Sequence, residues 1–177
     1  MTEAATPTRR RAIQILERGR AETDALIARI PRGRLSTPGL GGGTWSARDL
    51  IGHLASWEEY ALDALEAWER GTRPEIDTTW FSVSTNTLNA GNVEHKAAWT
   101  LAEVRRRSAA THEELLERLR TMSDRRWREP GSKRGRKTVA ERLGGILSGP
   151  AGPFRHDEAH HESLRAFIEQ PLLERQG

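Results

Sequence analysis

The chain has 177 residues, with 28 Lys and Arg against 25 Asp and Glu for a net charge of +3, 36% hydrophobic and 30% charged residues, and no cysteine. That length suits one domain with a real core and is too short for two comfortable ones. The missing cysteines exclude disulfides, thiolate metal ligands and a cysteine nucleophile, in keeping with a reducing cytosol. A mean hydropathy of -0.71 is polar but fits amphipathic helices with one apolar stripe each. No apolar run is long enough to span a bilayer and the N-terminus lacks a signal-peptide core, so a cytoplasmic protein without membrane contact is expected. The isoelectric point near 9.9 reflects an arginine excess, and so small a net charge points to no partner.

Residues 1–7 read as a tail and 171–177 as a second one, bracketing one domain. Ile13, Leu16, Leu26, Ile27 and Ile30 recur at helical spacing until Pro31, which predicts a first long helix. The stretch PRGRLSTPGLGGGTW is dense in Gly and Pro and is expected to connect without contributing to the core; its glycine run lacks the GK[ST] ending of a phosphate loop. Ser46 and Asp49 form a capping-box pattern that starts the second helix. Its stripe runs Leu50, Leu54, Trp57, Ala61, Ala64, Leu65 and Trp68 to a stop at Gly71 and Pro74, with His53 at the stripe's edge and facing inward.

Between Ile76 and Trp99 one short helix across an end of the bundle is expected. Thr100 with Glu103 opens a helix through Val104, Ser108, Leu115, Leu116, Leu119 and Met122, and Thr138 with Glu141 opens another that runs to Gly149 and Pro150. The last helix is expected to start near Pro153, with His156, His160, Leu164, Phe167 and Ile168 on one side, and to end before Pro171. There are no credible strand pairs and no internal repeat.

Residues four apart on a helix share a face, so His156 and His160 aim two imidazoles at one spot, and His53 is placed to supply a third from a facing helix. Three neutral imidazoles on rigid helices, with a position left open, bind Zn, Ni or Fe and activate a bound water. A lone histidine on an apolar face is more often a hydrogen-bonded core residue; the stacked pair opposite an inward histidine puts the metal reading on an equal footing. His112, near Ser108 and Leu115 on the stripe side, is the rival or accessory ligand. His161 points about a hundred degrees away from His160 and is expected outside the site. His95 is expected to face solvent. Asp157 and Glu58 flank the site and are placed to orient an imidazole, although each alone reads as an ordinary solvated helix face. Trp57 and Tyr60 would shape the cavity. The basic stretch DRRWREPGSKRGRKT reads as a solvated connector, with phosphate contact to a nucleic acid as the alternative.

Three stretches in this order carry a family resemblance. TWSARDLIGHLASWEEY resembles the start of the second helix in DinB-like four-helix bundle proteins, where a Trp-Ser opening precedes a helix with a single inward His. FRHDEAHHESLRAFI is similar to their last-helix pattern, His-x-x-x-His followed by apolar residues four and seven further on, here Leu164 and Phe167. The middle, NTLNAGNVEHKAAWTLAEVRRRSAATHEELLERLRTMSDRRW, is similar to the ClbS/DfsB-like branch of self-protection proteins. Together they cover most of residues 45–168.

The resemblance implies an all-α antiparallel four-helix bundle with one long crossover and short accessory helices, often paired as a homodimer. It also implies that His53, His156 and His160 form the metal triad and catalytic centre. Asp157 departs from the pattern, standing where an aromatic residue is usual. The leading expectation is a divalent-metal enzyme, a hydrolase or a thiol-dependent transferase, acting on a small electrophilic molecule. Any thiolate would come from a low-molecular-weight thiol such as mycothiol or bacillithiol, because the chain has none. The alternative is a metal-free self-protection hydrolase or sequestering protein with His53 or His156 as general base. A third reading is nucleic-acid binding through residues 125–137.

Overall fold

The computed structural model describes residues 6–132 and 135–170; of the expected tails at 1–7 and 171–177, residues 1–5 and 171–177 lie outside the described residues, and Thr6 and Pro7 precede the first helix without regular structure. The helices are α1 (Arg9–Ala28), α2 (Ala47–Arg70), α3 (Glu75–Ser82), α4 (Thr85–His95), α5 (Leu101–Thr121), α6 (Asp124–Arg128), α7 (Val139–Ile146) and α8 (His161–Glu169), and among the described residues there is no strand. The helix starts follow from side-chain caps. Ser46 Oγ accepts the Asp49 N–H at 3.2 Å while the Asp49 carboxylate accepts the Ser46 N–H at 2.9 Å. Thr100 with Glu103 and Thr138 with Glu141 close the same reciprocal box, each satisfying two otherwise orphaned donors. Gly71 ends α2 in the left-handed region at φ 72°.

The chain forms an all-helical bundle in which α2 packs along α5, and α1 packs on α5 and on the segment that carries α8. The long connection from 71 to 100 holds α3 and α4, which lean on α2. Two apolar cores result. One gathers Ala12, Leu16, Trp57, Leu65, Leu115, Leu119, Trp127, Leu143 and Phe154. The other gathers Leu26, Ile27, Leu50, Leu54, Val104, Leu164 and Phe167. Burying each large side chain contributes about 1.5–3 kcal/mol. Along every leg the positions between the two cores are polar and buried: Arg20 and Thr23 on α1, His53 and Glu58 on α2, Ser108 on α5, Asp157 and His161 on the last leg. A polar layer therefore lies at mid-height, and it positions the site.

Four sequence expectations need correction. The Gly- and Pro-rich connection does contribute to the core: Leu35 and Leu40 are buried in the second cluster. Positive φ at Gly39, Gly41 and Gly42 lets the chain fold back so that Gly39 and Leu40 both donate to the Trp45 carbonyl. The single short helix expected between 76 and 99 is two, because Val83 is extended and Ser84 caps a new start by accepting the Thr87 N–H at 3.1 Å. The last helix does not begin near Pro153. Phe154 turns the backbone at φ 64°, a 3-10 turn spans Asp157–His160, and α8 begins only at His161, so three long helices are joined by a fourth leg in two pieces. The basic stretch opens as α6 rather than as a connector, anchored by buried Trp127, whose Nε1 donates to the Pro7 carbonyl at 3.1 Å. Among the described residues no helix is long and apolar enough to cross a membrane.

Candidate metal centre

His53 comes from the second turn of α2, and His156 and His160 stand at the two ends of the 3-10 turn. The three side chains converge. His53 Nε2 lies 3.1 Å from His156 Nε2, which lies 3.4 Å from His160 Nε2, and one ring nitrogen of each falls within 4.8 Å of the others. The segment keeps αR backbone angles at His156 and His160, which is why the four-residue spacing still stacks two imidazoles although the hydrogen bonding is not α-helical. Trp45 stands 4.8 Å from the His53 ring and Trp57 5.8 Å from that of His156, closing the site with apolar surface.

Burial first, and then the neighbouring imidazoles, push the His53 pKa down to about 2 and that of His156 down to about 4. Burial also lowers His160, against the opposing pull of Asp157. All three are neutral at pH 7 and present lone pairs. A tetrahedral ion at about 2.0–2.1 Å from each nitrogen would place neighbouring ligand nitrogens about 3.4 Å apart, which matches the pairs that His156 makes with His53 and His160, while the third pair is bounded only by the 4.8 Å spread of the set. His53 meets the triad through Nε2, and its other ring nitrogen, Nδ1, is buried without a hydrogen-bond partner, so no protein group fixes its tautomer.

The other sequence candidates belong to a separate cluster in the same layer. Arg20 reaches Asp157 at 3.0 Å, Ser108 at 3.0 Å and Glu58 at 3.2 Å. His112 Nδ1 sits 2.6 Å from Glu58, and Thr23 Oγ1 bridges Asp157 at 2.8 Å and His161 Nε2 at 3.0 Å. His112 is thus a partner of Glu58 and not an accessory to the triad, and His161 is outside the triad but buried. Glu58 and Asp157 are neither solvated nor orienting a triad imidazole. Burial raises the Asp157 carboxyl, yet the Arg20 charge and the hydrogen bonds from Arg20 and Thr23 hold it below the usual carboxylate range. His95 is exposed, as expected.

Sequence reasoning missed Arg20 and Thr23, although both fall at helical spacing with Leu16 and Ile27 and so lie on the apolar side of α1. It also missed Lys96, buried at the end of α4, whose Nζ donates to the Gly52 carbonyl at 3.1 Å, to Ser56 at 2.7 Å and to Glu59 at 2.8 Å. No local signal marks Lys96.

A cleft of about 220 Å³ opens beside His156, walled by Trp57, Trp80, Thr85 and Asn89 and floored by α7. Tyr60 does not line it; its hydroxyl donates to Asn92 at 3.0 Å behind the wall.

A helical bundle with three histidines facing one another at mid-height defines the class of protein. The chain belongs to the DinB superfamily, whose family model matches residues 15–148, a span that includes His53 and stops short of His156 and His160. Two solved structures share the fold. The crystal structure of the colibactin self-resistance protein ClbS in complex with a dsDNA is 13% identical, with a TM-score of 0.73 over 95% of this chain and 100% of that one. An uncharacterised protein from Escherichia coli UTI89 is likewise 13% identical, with a TM-score of 0.73 over 92% of this chain and 93% of that one. No curated protein matches the sequence.

Proposed function

We propose that this protein is a divalent-metal enzyme, a hydrolase or thiol-dependent transferase acting on a small electrophilic molecule, with His53, His156 and His160 as metal ligands. The convergence of three neutral imidazoles, His53 buried and His156 and His160 half-buried, carries the reading. The set contains no carboxylate, so it would leave the full charge of a Zn, Ni or Fe ion in place. When bound, such an ion supplies Lewis acidity and lowers the pKa of a water or thiol in the position the histidines leave open. The chain contributes the rest. The 3-10 turn fixes His156 and His160 relative to α2, Trp45 and Trp57 keep bulk water from the imidazoles, and the cleft at His156 admits the substrate. With no cysteine in the chain, a thiol co-substrate comes from solution. Pairing of two copies as a homodimer belongs to the same proposal.

Elemental mass spectrometry on tag-free protein purified without chelators tests it. The expected result is about one ion per chain in the wild type and none in His53→Ala. Absence of metal in both proteins favours the second reading, metal-free self-protection, which the shared fold with ClbS supports. There His156, neutral and open to the cleft, would act as a general base toward water. A dsDNA-binding reading draws on the same neighbour and on the basic stretch, where Arg125 and Arg126 pair with Glu129. It predicts a steep fall of binding with salt, and no binding at low salt ends it.

A further inference from the structure

We propose that the cleft beside His156 is the substrate subsite of this centre and takes an uncharged, planar, single-ring group that carries a hydrogen-bond acceptor. The inference rests on the metal reading for its chemistry but not for its binding. Position comes first: His156 forms part of the wall, so a group seated in the cleft has one end beside the triad.

Charge comes second. Among the described residues no Asp, Glu, Lys or Arg lines the cleft. An ion entering would lose hydration and meet no counter-charge, whereas a neutral molecule pays no such penalty.

Shape comes third. The Trp57 and Trp80 rings lie 5.9 Å apart at 37°, a slanted pair. Trp57 is committed: it is buried, and its Nε1 donates to Asn89 Oδ1 at 3.0 Å. Trp80 is 38% exposed and makes no hydrogen bond among the described residues, so a large aromatic face stands at the mouth with nothing packed to cover it fully. Offset stacking on such a face favours a flat ring.

Polarity comes fourth. Asn89 spends its carbonyl on Trp57, which leaves its amide N–H donors, with the Thr85 hydroxyl, for a ligand's acceptor. The volume of about 220 Å³ is below the roughly 300–1,000 Å³ of sites for drug-sized ligands, which limits the occupant to one ring with a small polar substituent.

Benzamide tests the subsite directly on the purified full chain, with acetamide, benzoate and benzamidine as comparators and the indole N–H NMR signals of Trp57 and Trp80 as readout. Benzamide is expected to shift both signals saturably, acetamide to shift neither, and the two charged analogues to bind more weakly. Trp80→Ala, a change at a half-exposed position, is expected to weaken benzamide by about fivefold and Trp80→Phe to restore most of it. Unshifted indoles, equal binding of benzoate, or unchanged affinity in Trp80→Ala would overturn the subsite. A zinc-loaded arm separates the two readings, because benzohydroxamate shares the ring and adds a chelating group. Benzamide binding with no zinc-dependent gain for benzohydroxamate would leave the subsite standing and remove the metal.

Discussion

Two polar groups sit at the same height in this bundle and are built on opposite principles. In the Arg20 cluster charge faces opposite charge: Asp157 takes two hydrogen bonds, Glu58 meets His112 and stands 3.2 Å from the Arg20 guanidinium as an ion pair without hydrogen-bond geometry, and Thr23 joins Asp157 to His161. In the triad three imidazoles face one another with no carboxylate among them. Neutralised charge locks helices together, whereas imidazoles that meet only one another are the set proposed here to take a cation.

The sharpest way to break the contrast is to remove a triad nitrogen. His160→Ala is expected to abolish metal binding while leaving a cooperative unfolding transition, measured by elemental analysis and urea denaturation on one sample; retained metal would refute the ligand assignment. Next in size is Arg20→Met, which strands Glu58 and Asp157 in the layer and is expected to cost about 3–5 kcal/mol in urea unfolding.

The pH dependence of the metal-free protein sharpens the contrast further. His53 and His156 have folded pKa values of about 2 and about 4, below the unfolded value of 6.5, so the unfolded chain takes up protons first as pH falls. Stability is unaffected above pH 6.5 and declines from there toward pH 4, by about 1.4 kcal/mol per pH unit for each histidine fully in that range. Asp157, with its pKa lowered, runs on a different window: its contribution is present above the unfolded carboxyl pKa and is lost only below it. Urea titrations at half-unit pH steps should therefore show a slope between pH 6.5 and 4.5 that flattens in His53→Ala, and an unchanged slope would place those pKa values wrongly. The smallest effect belongs to neither group. Thr100→Ala removes one capping box and is expected to lower stability by about 1 kcal/mol with metal content unchanged.

What could be read from the sequence was local. Each capping box was legible because its two residues are three apart, and the His156 and His160 pair because its spacing survives in αR backbone. His53 was legible from its place between Leu50 and Trp57. The Arg20 cluster was not, because its partners lie 88 and 137 residues away and a carboxylate on a helix looks the same whether water or an arginine covers it. The break in the last leg escaped for a similar reason: Phe154 adopts a conformation that sequence alone assigns to glycine, and buried packing against Trp127, with ring centroids 5.7 Å apart, accompanies it there.

One feature of α2 bears on how such a protein can change. Every residue from Leu50 to Glu58 is buried, more than two turns of helix with no solvent-facing position. His53 and Glu58 occupy that run together, so the segment serves both polar groups and both cores at once. A saturation library would find it nearly closed to substitution, and α3 and α4, which are mostly exposed, open. New substrates would then be acquired through the short helices beside the cleft, while the central helix stays as it is.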